Sequence, residues 1–208
     1  MKTKTNCIIL GLIIFSGFNI KAQELKFGLL AGFDVSNVRL TNMPDIKSYY
    51  SVFDPMISFN ANGYVGYKSA RFWGISIEPG FIQKGGVTNS IDKTRFQLNY
   101  LQMPVLFDCY IWDKLFISIG PEFSYMVNAR SKSKDNSNDI SDSYDKKIEV
   151  SGLIGINYGI FDKIDIGLRY NHGLTYTSKT IWTNELGNTQ GESKEYNQYI
   201  QLILRFKI

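Results

Sequence analysis

The sequence predicts an all-β fold: eight antiparallel strands closed up-and-down into a barrel that crosses a membrane. Three observations predict it. Apolar and polar residues alternate through eight long runs, the segments between those runs are by turns long and short, and a short apolar leader precedes the first run. Composition agrees. Of 208 residues, 44% are apolar and 20% are charged, which excludes general disorder. Beyond the leader no stretch of 18 or more apolar residues occurs, which excludes a bundle of membrane-crossing helices. Two cysteines exclude a disulfide scaffold and a cysteine-based zinc site.

Residues 1–22 read as a cleaved secretory signal peptide. Lys2 and Lys4 supply the basic start, Cys7–Phe18 the apolar stretch, and Ala22 the small residue before the cut. The apolar stretch is too short for a membrane helix. Cleavage removes Lys2, Lys4 and Lys21, leaving 20 basic against 19 acidic residues, a net charge of +1. The basic excess belongs to the leader, so the 23–208 domain carries no nucleic-acid footprint. Only Cys109 remains in it, and no internal disulfide can form.

The eight runs are Leu25–Arg39, Met56–Tyr67, Phe72–Val87, Phe96–Ile111, Leu115–Val127, Ile148–Phe161, Ile164–Leu174 and Tyr196–Ile208. In Leu115–Val127 the odd positions carry Leu115, Ile117, Ile119, Phe123 and Tyr125, whereas the even positions carry Ser118, Gly120, Glu122 and Ser124. Side chains of a strand alternate between faces, so each run has one greasy and one polar face. The connections are Leu40–Asp54, Lys68–Arg71, Thr88–Arg95, Trp112–Lys114, Asn128–Lys147, Asp162–Lys163 and Thr177–Glu195, with lengths of 15, 4, 8, 3, 20, 2 and 19 residues. Such alternation puts long loops on one rim and tight turns on the other. Strands in soluble proteins usually hold five or six residues, and a tilted membrane strand needs about 9–11.

Alternation alone does not say which face looks out. A secreted lipocalin-like barrel turns its greasy face inward, and a membrane barrel turns it outward. Three features favour outward. The polar face is rich in glycines, including Gly28, Gly32, Gly120, Gly155 and Gly167, which suit a crowded lumen. It mixes charges of both signs at Glu78, Lys84, Glu122, Asp165, Arg169 and Arg205, which can neutralise one another when buried. Tyr67, Trp73, Tyr110, Trp112, Tyr125, Tyr158, Tyr170 and Tyr196 lie near strand ends, as in the aromatic girdles of membrane barrels.

Four segments then occur in order: Glu78–Gly86 (EPGFIQKGG), Tyr100–Pro104 (YLQMP), Gly120–Glu122 (GPE) and Arg169–Leu174 (RYNHGL). Together they resemble the PorT-type outer-membrane β-barrel family of Bacteroidetes-like bacteria, over the whole 23–208 domain. The resemblance implies an outer-membrane barrel, inserted by the barrel assembly machinery through its final strand, with a secretion-associated envelope protein as a candidate partner. The family often has Glu where this chain has Gln102, which puts a charge role at that position in doubt.

The lumen-facing candidates are therefore Glu78, Lys84, Gln102, Glu122, Asp165, Arg169 and Arg205. Glu78 and Lys84 share a face six residues apart, about 20 Å along a strand. They cannot pair, and each needs a partner from a neighbouring strand. Pro104 and Pro121 have no N–H for a ladder and are expected to mark bulges or bends.

Other chemistry is weak. His172 is the sole histidine, and two residues on stands Leu174 rather than the serine that a His-x-Ser lipid deacylase would carry, so no catalytic site is assigned. The segment beginning at Asp135 has Ile140 and Lys146 where a calcium loop wants Gly and Glu. No metal and no cofactor is expected, and 128–147 reads as a solvated, mobile loop. Cys109 lies on the greasy face and reads as a small hydrophobe. Tyr49, Tyr50 and Phe53 in the first long loop are either a partner-contact patch or aromatics folded onto the rim.

These readings point to a monomeric, non-enzymatic barrel with a plugged polar lumen and outer-membrane lipid around it, in a structural or interaction role at the envelope. A narrow channel or a small-ligand carrier is the alternative.

Overall fold

The computed structural model describes residues 25–41, 53–69, 72–88, 93–134, 136–183 and 186–208. The predicted signal peptide, with Tyr49 and Tyr50, lies outside the described residues. The strands are β1 (Leu25–Thr41), β2 (Phe53–Asp54), β3 (Met56–Lys68), β4 (Trp73–Ile77), β5 (Gly80–Thr88), β6 (Arg95–Tyr110), β7 (Leu115–Lys132), β8 (Ser137–Asp139), β9 (Ile148–Phe161), β10 (Ile164–Gly173), β11 (Ser178–Thr183) and β12 (Thr189–Lys207).

Their pairings are antiparallel and close on themselves. β1 pairs with β3, β3 with β4 and β5, and both of these with β6. The ring continues through β7, β9, β10 and β12, which returns to β1. Each member of this ring is paired on both sides, which hydrocarbon requires because it offers no water to an unpaired amide, and the short strands β2, β8 and β11 add to single edges outside it.

Adjacent residues of β1 show which face looks out. Phe33 is 71% exposed and Asp34 is 0% exposed. The same contrast runs round the barrel: Ile57, Leu101, Ile119, Leu168, Leu202 and Leu204 point out, and Ser58, Gln102, Ser118, Arg169, Gln201 and Arg205 are buried. The greasy face is the outer face, and the inward-facing arrangement of a soluble barrel is not adopted. Cys109 lies on the outer face as well.

The run predicted over 72–87 is divided, because Pro79 has no N–H and β4 stops before it. Two bonds bridge the break: Glu78 N donates to Pro104 O (3.0 Å) and Gly63 N donates to Pro79 O (2.8 Å). At the far end of β5, Gly85 adopts φ +134°, a conformation that favours glycine. Lys84, Gly85 and Gly86 are all buried there, so the alternation pauses at the lysine.

Three expectations are corrected. Pro104 and Pro121 do not shift the register. The β6–β7 ladder lapses between Pro104↔Glu122 and Phe107↔Ile119, where Pro121 has no N–H to give, and resumes in phase; the shift falls at Asn99/Tyr100. The segment 128–147 is not a free loop. β7 continues through it to Lys132, β8 turns back along β7, and a 3₁₀ turn at Ser141–Ser143 follows. Ile140 and Tyr144 pack on buried Ile82, Leu98, Tyr100, Met126, Ala129 and Tyr199, so apolar contact outweighs the charge that suggested mobility. The segment 177–195 is likewise a hairpin, in which β11 pairs with an extended β12.

A charge on the outer face tests this orientation. Leu202→Arg, between Phe33 and Leu168 in the ring, is expected to cost about 2–4 kcal/mol if it meets the bilayer midplane. Denaturant unfolding of barrels refolded in phospholipid vesicles measures it. A loss below about 0.5 kcal/mol, the usual surface value, contradicts the orientation.

Candidate functional site

Six of the seven lumen candidates form ion pairs inside the barrel, in two clusters. The first centres on Glu78, between β4 and β5. Its Oε2 accepts from Arg169 Nη1 at 2.5 Å, and its Oε1 accepts from Arg169 Nη2 at 2.8 Å and Arg205 Nη2 at 2.7 Å. Arg205 Nη1 also donates to Asp165 Oδ2 at 3.3 Å, and Lys207 Nζ donates to Asp165 Oδ1 at 2.6 Å. The guanidinium of Arg205 lies 4.3 Å from the centre of the Tyr64 ring. Gly155 leaves room for the stem of Arg169, since a Cβ there would fall 2.5 Å from its Cγ.

The second cluster centres on Lys84. Its ammonium donates to Glu122 Oε1 (2.9 Å), Glu149 Oε1 (2.8 Å) and Ser124 Oγ (3.3 Å). Tyr199 Oη donates to the other oxygen of Glu122 through a short bond. Asn197 Nδ2 donates to Glu149 Oε2 at 2.6 Å and to Tyr100 Oη at 3.1 Å. A buried charge is tolerable when its partners and remaining hydrogen bonds are present; around Lys84 five strands supply them, whereas the Nε atoms of Arg169 and Arg205 in the first cluster find no partner among the described residues.

The partners of Glu78 and Lys84 do not lie on the neighbouring strands where the sequence puts them, whereas Asp165 and Arg205 stand opposite each other on adjacent β10 and β12. β4 and β5 adjoin β3 and β6, whereas Arg169 lies on β10, as far round the ring as a residue can be. Lys84 of β5 reaches β7 and β9, past β6. The lumen is narrow enough for long side chains to meet across it, and pairing across the lumen ties opposite walls together. Gln102 takes a separate place: its Nε2 donates to Asn62 Oδ1 at 3.1 Å, and it joins neither cluster.

Sequence reasoning missed Glu149, Asp34 and Asp108. Asp34 accepts from Asn60 Nδ2 (3.0 Å) and Asp108 from Ser118 Oγ (2.5 Å). The signal was available, because Glu149 shares its parity with Ser151, Gly155 and Asn157, and Asp34 with Gly28 and Gly32. Phe53 is not a free loop aromatic. It sits in β2 against Thr88 of β5 and meets Phe96 edge-to-face at 5.8 Å.

Outside the barrel wall, two carboxyls are held below their ordinary range, Asp139 by hydrogen bonds from Ser141 and Glu192 by the hydrogen bond it accepts from Lys179. His172 at the long-loop rim contacts Tyr170 Oη (3.0 Å) and Arg39 Nη2 (3.4 Å). Among the described residues no cluster of three His, Cys, Asp or Glu side chains could hold a metal.

Residues 21–179 match a family model described as outer membrane protein beta-barrel domain. Among solved structures the fold is similar to Ail, the attachment invasion locus protein of Yersinia pestis, with 12% identity, a TM-score of 0.50, and 89% of this chain and 99% of Ail covered. It is also similar to Neisserial surface protein A, with 14% identity, a TM-score of 0.52, and 88% and 97% covered. At such identities the likeness concerns the fold. No curated protein matches the sequence.

Removing one carboxylate tests how the first cluster is balanced. Glu78→Gln leaves two guanidiniums facing a neutral amide, and a loss of about 3–5 kcal/mol is expected in unfolding from vesicles. Unchanged stability contradicts the pairing.

Proposed function

The chain belongs to the outer membrane protein beta-barrel domain family, and from that premise we propose that it is a small outer-membrane barrel with a plugged lumen, acting through its surfaces at the envelope rather than by catalysis or conduction. The observation that carries this reading is the pair of charged clusters spanning the lumen. Arg169, Arg205, Lys84, Tyr100 and Tyr199 are each buried to within 2% of full enclosure. Ile140 and Tyr144 add an apolar cover at the long-loop end. The surrounding lipid meets the outer apolar band.

The proposal includes the export route. Residues 1–22 are a signal peptide cleaved after Ala22, and the barrel assembly machinery inserts the 23–208 domain through its last strand as a monomer. The ordered motifs that resemble the PorT-type family make a secretion-associated envelope protein the partner of choice, reached through the loops or turns.

Purified barrel in a planar bilayer is expected to give a flat current trace. Discrete conductance steps, altered by Arg169→Ala, would overturn the plugged lumen in favour of a narrow channel.

A further inference from the structure

We propose that the short-turn mouth of the barrel is a binding site for a small phosphate-bearing anion. The mouth holds a cavity of about 270 Å³, just below the usual range for small-ligand sites. Its floor is aromatic: Tyr64, Tyr110 and Phe116, with the last two rings 4.9 Å apart. Gly66 keeps it open, since a Cβ there would collide with the Tyr64 hydroxyl.

Four ammonium groups ring this cavity. Lys26 is the second residue of β1, Lys68 ends β3, Lys114 lies in the turn before β7 and Lys207 ends β12. Lys207 is engaged by Asp165, whose other oxygen takes Arg205. Lys26, Lys68 and Lys114 form no ion pair among the described residues; Lys68 instead lies 4.0 Å above the Tyr110 ring. The remaining acids of the lining, Asp113 and Asp162, sit exposed on the turns. Three cations without an ion-pair partner gather at one partly open hollow, and an anion placed among them removes their mutual repulsion. Lysine suits phosphate because it binds as a point charge and needs no planar fork. The phosphate group belongs either to a soluble molecule or to a lipid headgroup of the adjoining leaflet.

The test uses isotope-labelled full-length barrel in maltoside detergent, which carries no phosphate, titrated with inorganic phosphate. The amide resonances of Gly66 and Gly159, which line the cavity, are expected to shift and saturate. Lys26→Met and Lys68→Met should each weaken the midpoint about tenfold, the loss of one charge-assisted bond. Lys179→Met, on the opposite rim, should leave it unchanged, and retention of a heat-shifted gel band verifies folding. Repeating the titration in phosphatidylglycerol nanodiscs separates the sources: an undiminished response assigns a soluble anion, and a site saturated before phosphate is added assigns the headgroup. Absence of a saturating shift in maltoside, or a shift indifferent to Lys26 and Lys68, overturns the proposal. The plugged lumen is read separately by conductance, so either conclusion can fail alone.

Discussion

Hydrocarbon offers no hydrogen bonds, and the rest of this structure follows from that constraint. A strand that enters it must have both edges paired, so the strands close into a ring. Charged side chains on those strands cannot face the lipid, so they turn inward, where Phe33 and Asp34 divide the two environments between neighbouring residues. Inside, the charges have little water either, and they must satisfy one another. The paired lumen is thus a consequence of the outward greasy face, and the two features stand or fall together.

The geometry of those pairs adds mechanical meaning. Glu78 joins β10 and β12 to the opposite wall, and Lys84 joins β5 to β7 and β9. Backbone ladders hold neighbouring strands together, and the ion pairs brace strands that share no ladder. A buried pair is weak evidence for stability when compared with a well-packed apolar core, but loss of one member strands the other. Asp34 and Asp108 show a different solution, in which amide and hydroxyl donors stand in for a cation. Ile140 and Tyr144 pack over the buried apolar cluster toward the long-loop end, and the aromatic, lysine-rimmed hollow lies at the other. The barrel is therefore polar through its middle and unlike at its two ends.

Much of this was legible in the residues. Period two located the long strands, and parity put Glu78, Lys84, Glu122, Asp165, Arg169 and Arg205 on one face. What parity cannot convey is position round a ring. The partner of Glu78 depends on which strands end up opposite, and that is a property of closure rather than of spacing. Charge content misled at 128–147, because four acids and five bases outweigh three apolar residues in composition, whereas Ile140 and Tyr144 decide the packing. Glu149 escaped notice because it is the second residue of β9, close behind that segment. Gln102 was grouped with the charged residues by motif position, and its amide finds an amide partner instead.

The account depends most on a closed barrel, greasy side outward, in the outer membrane. Electrophoresis of outer-membrane fractions, unboiled against boiled, tests it most directly. A closed ring of ladders resists SDS when cold, so the account predicts a band that changes mobility on heating and is found in that fraction. A single unshifted band confined to the soluble periplasm would contradict it and would place the greasy face inside.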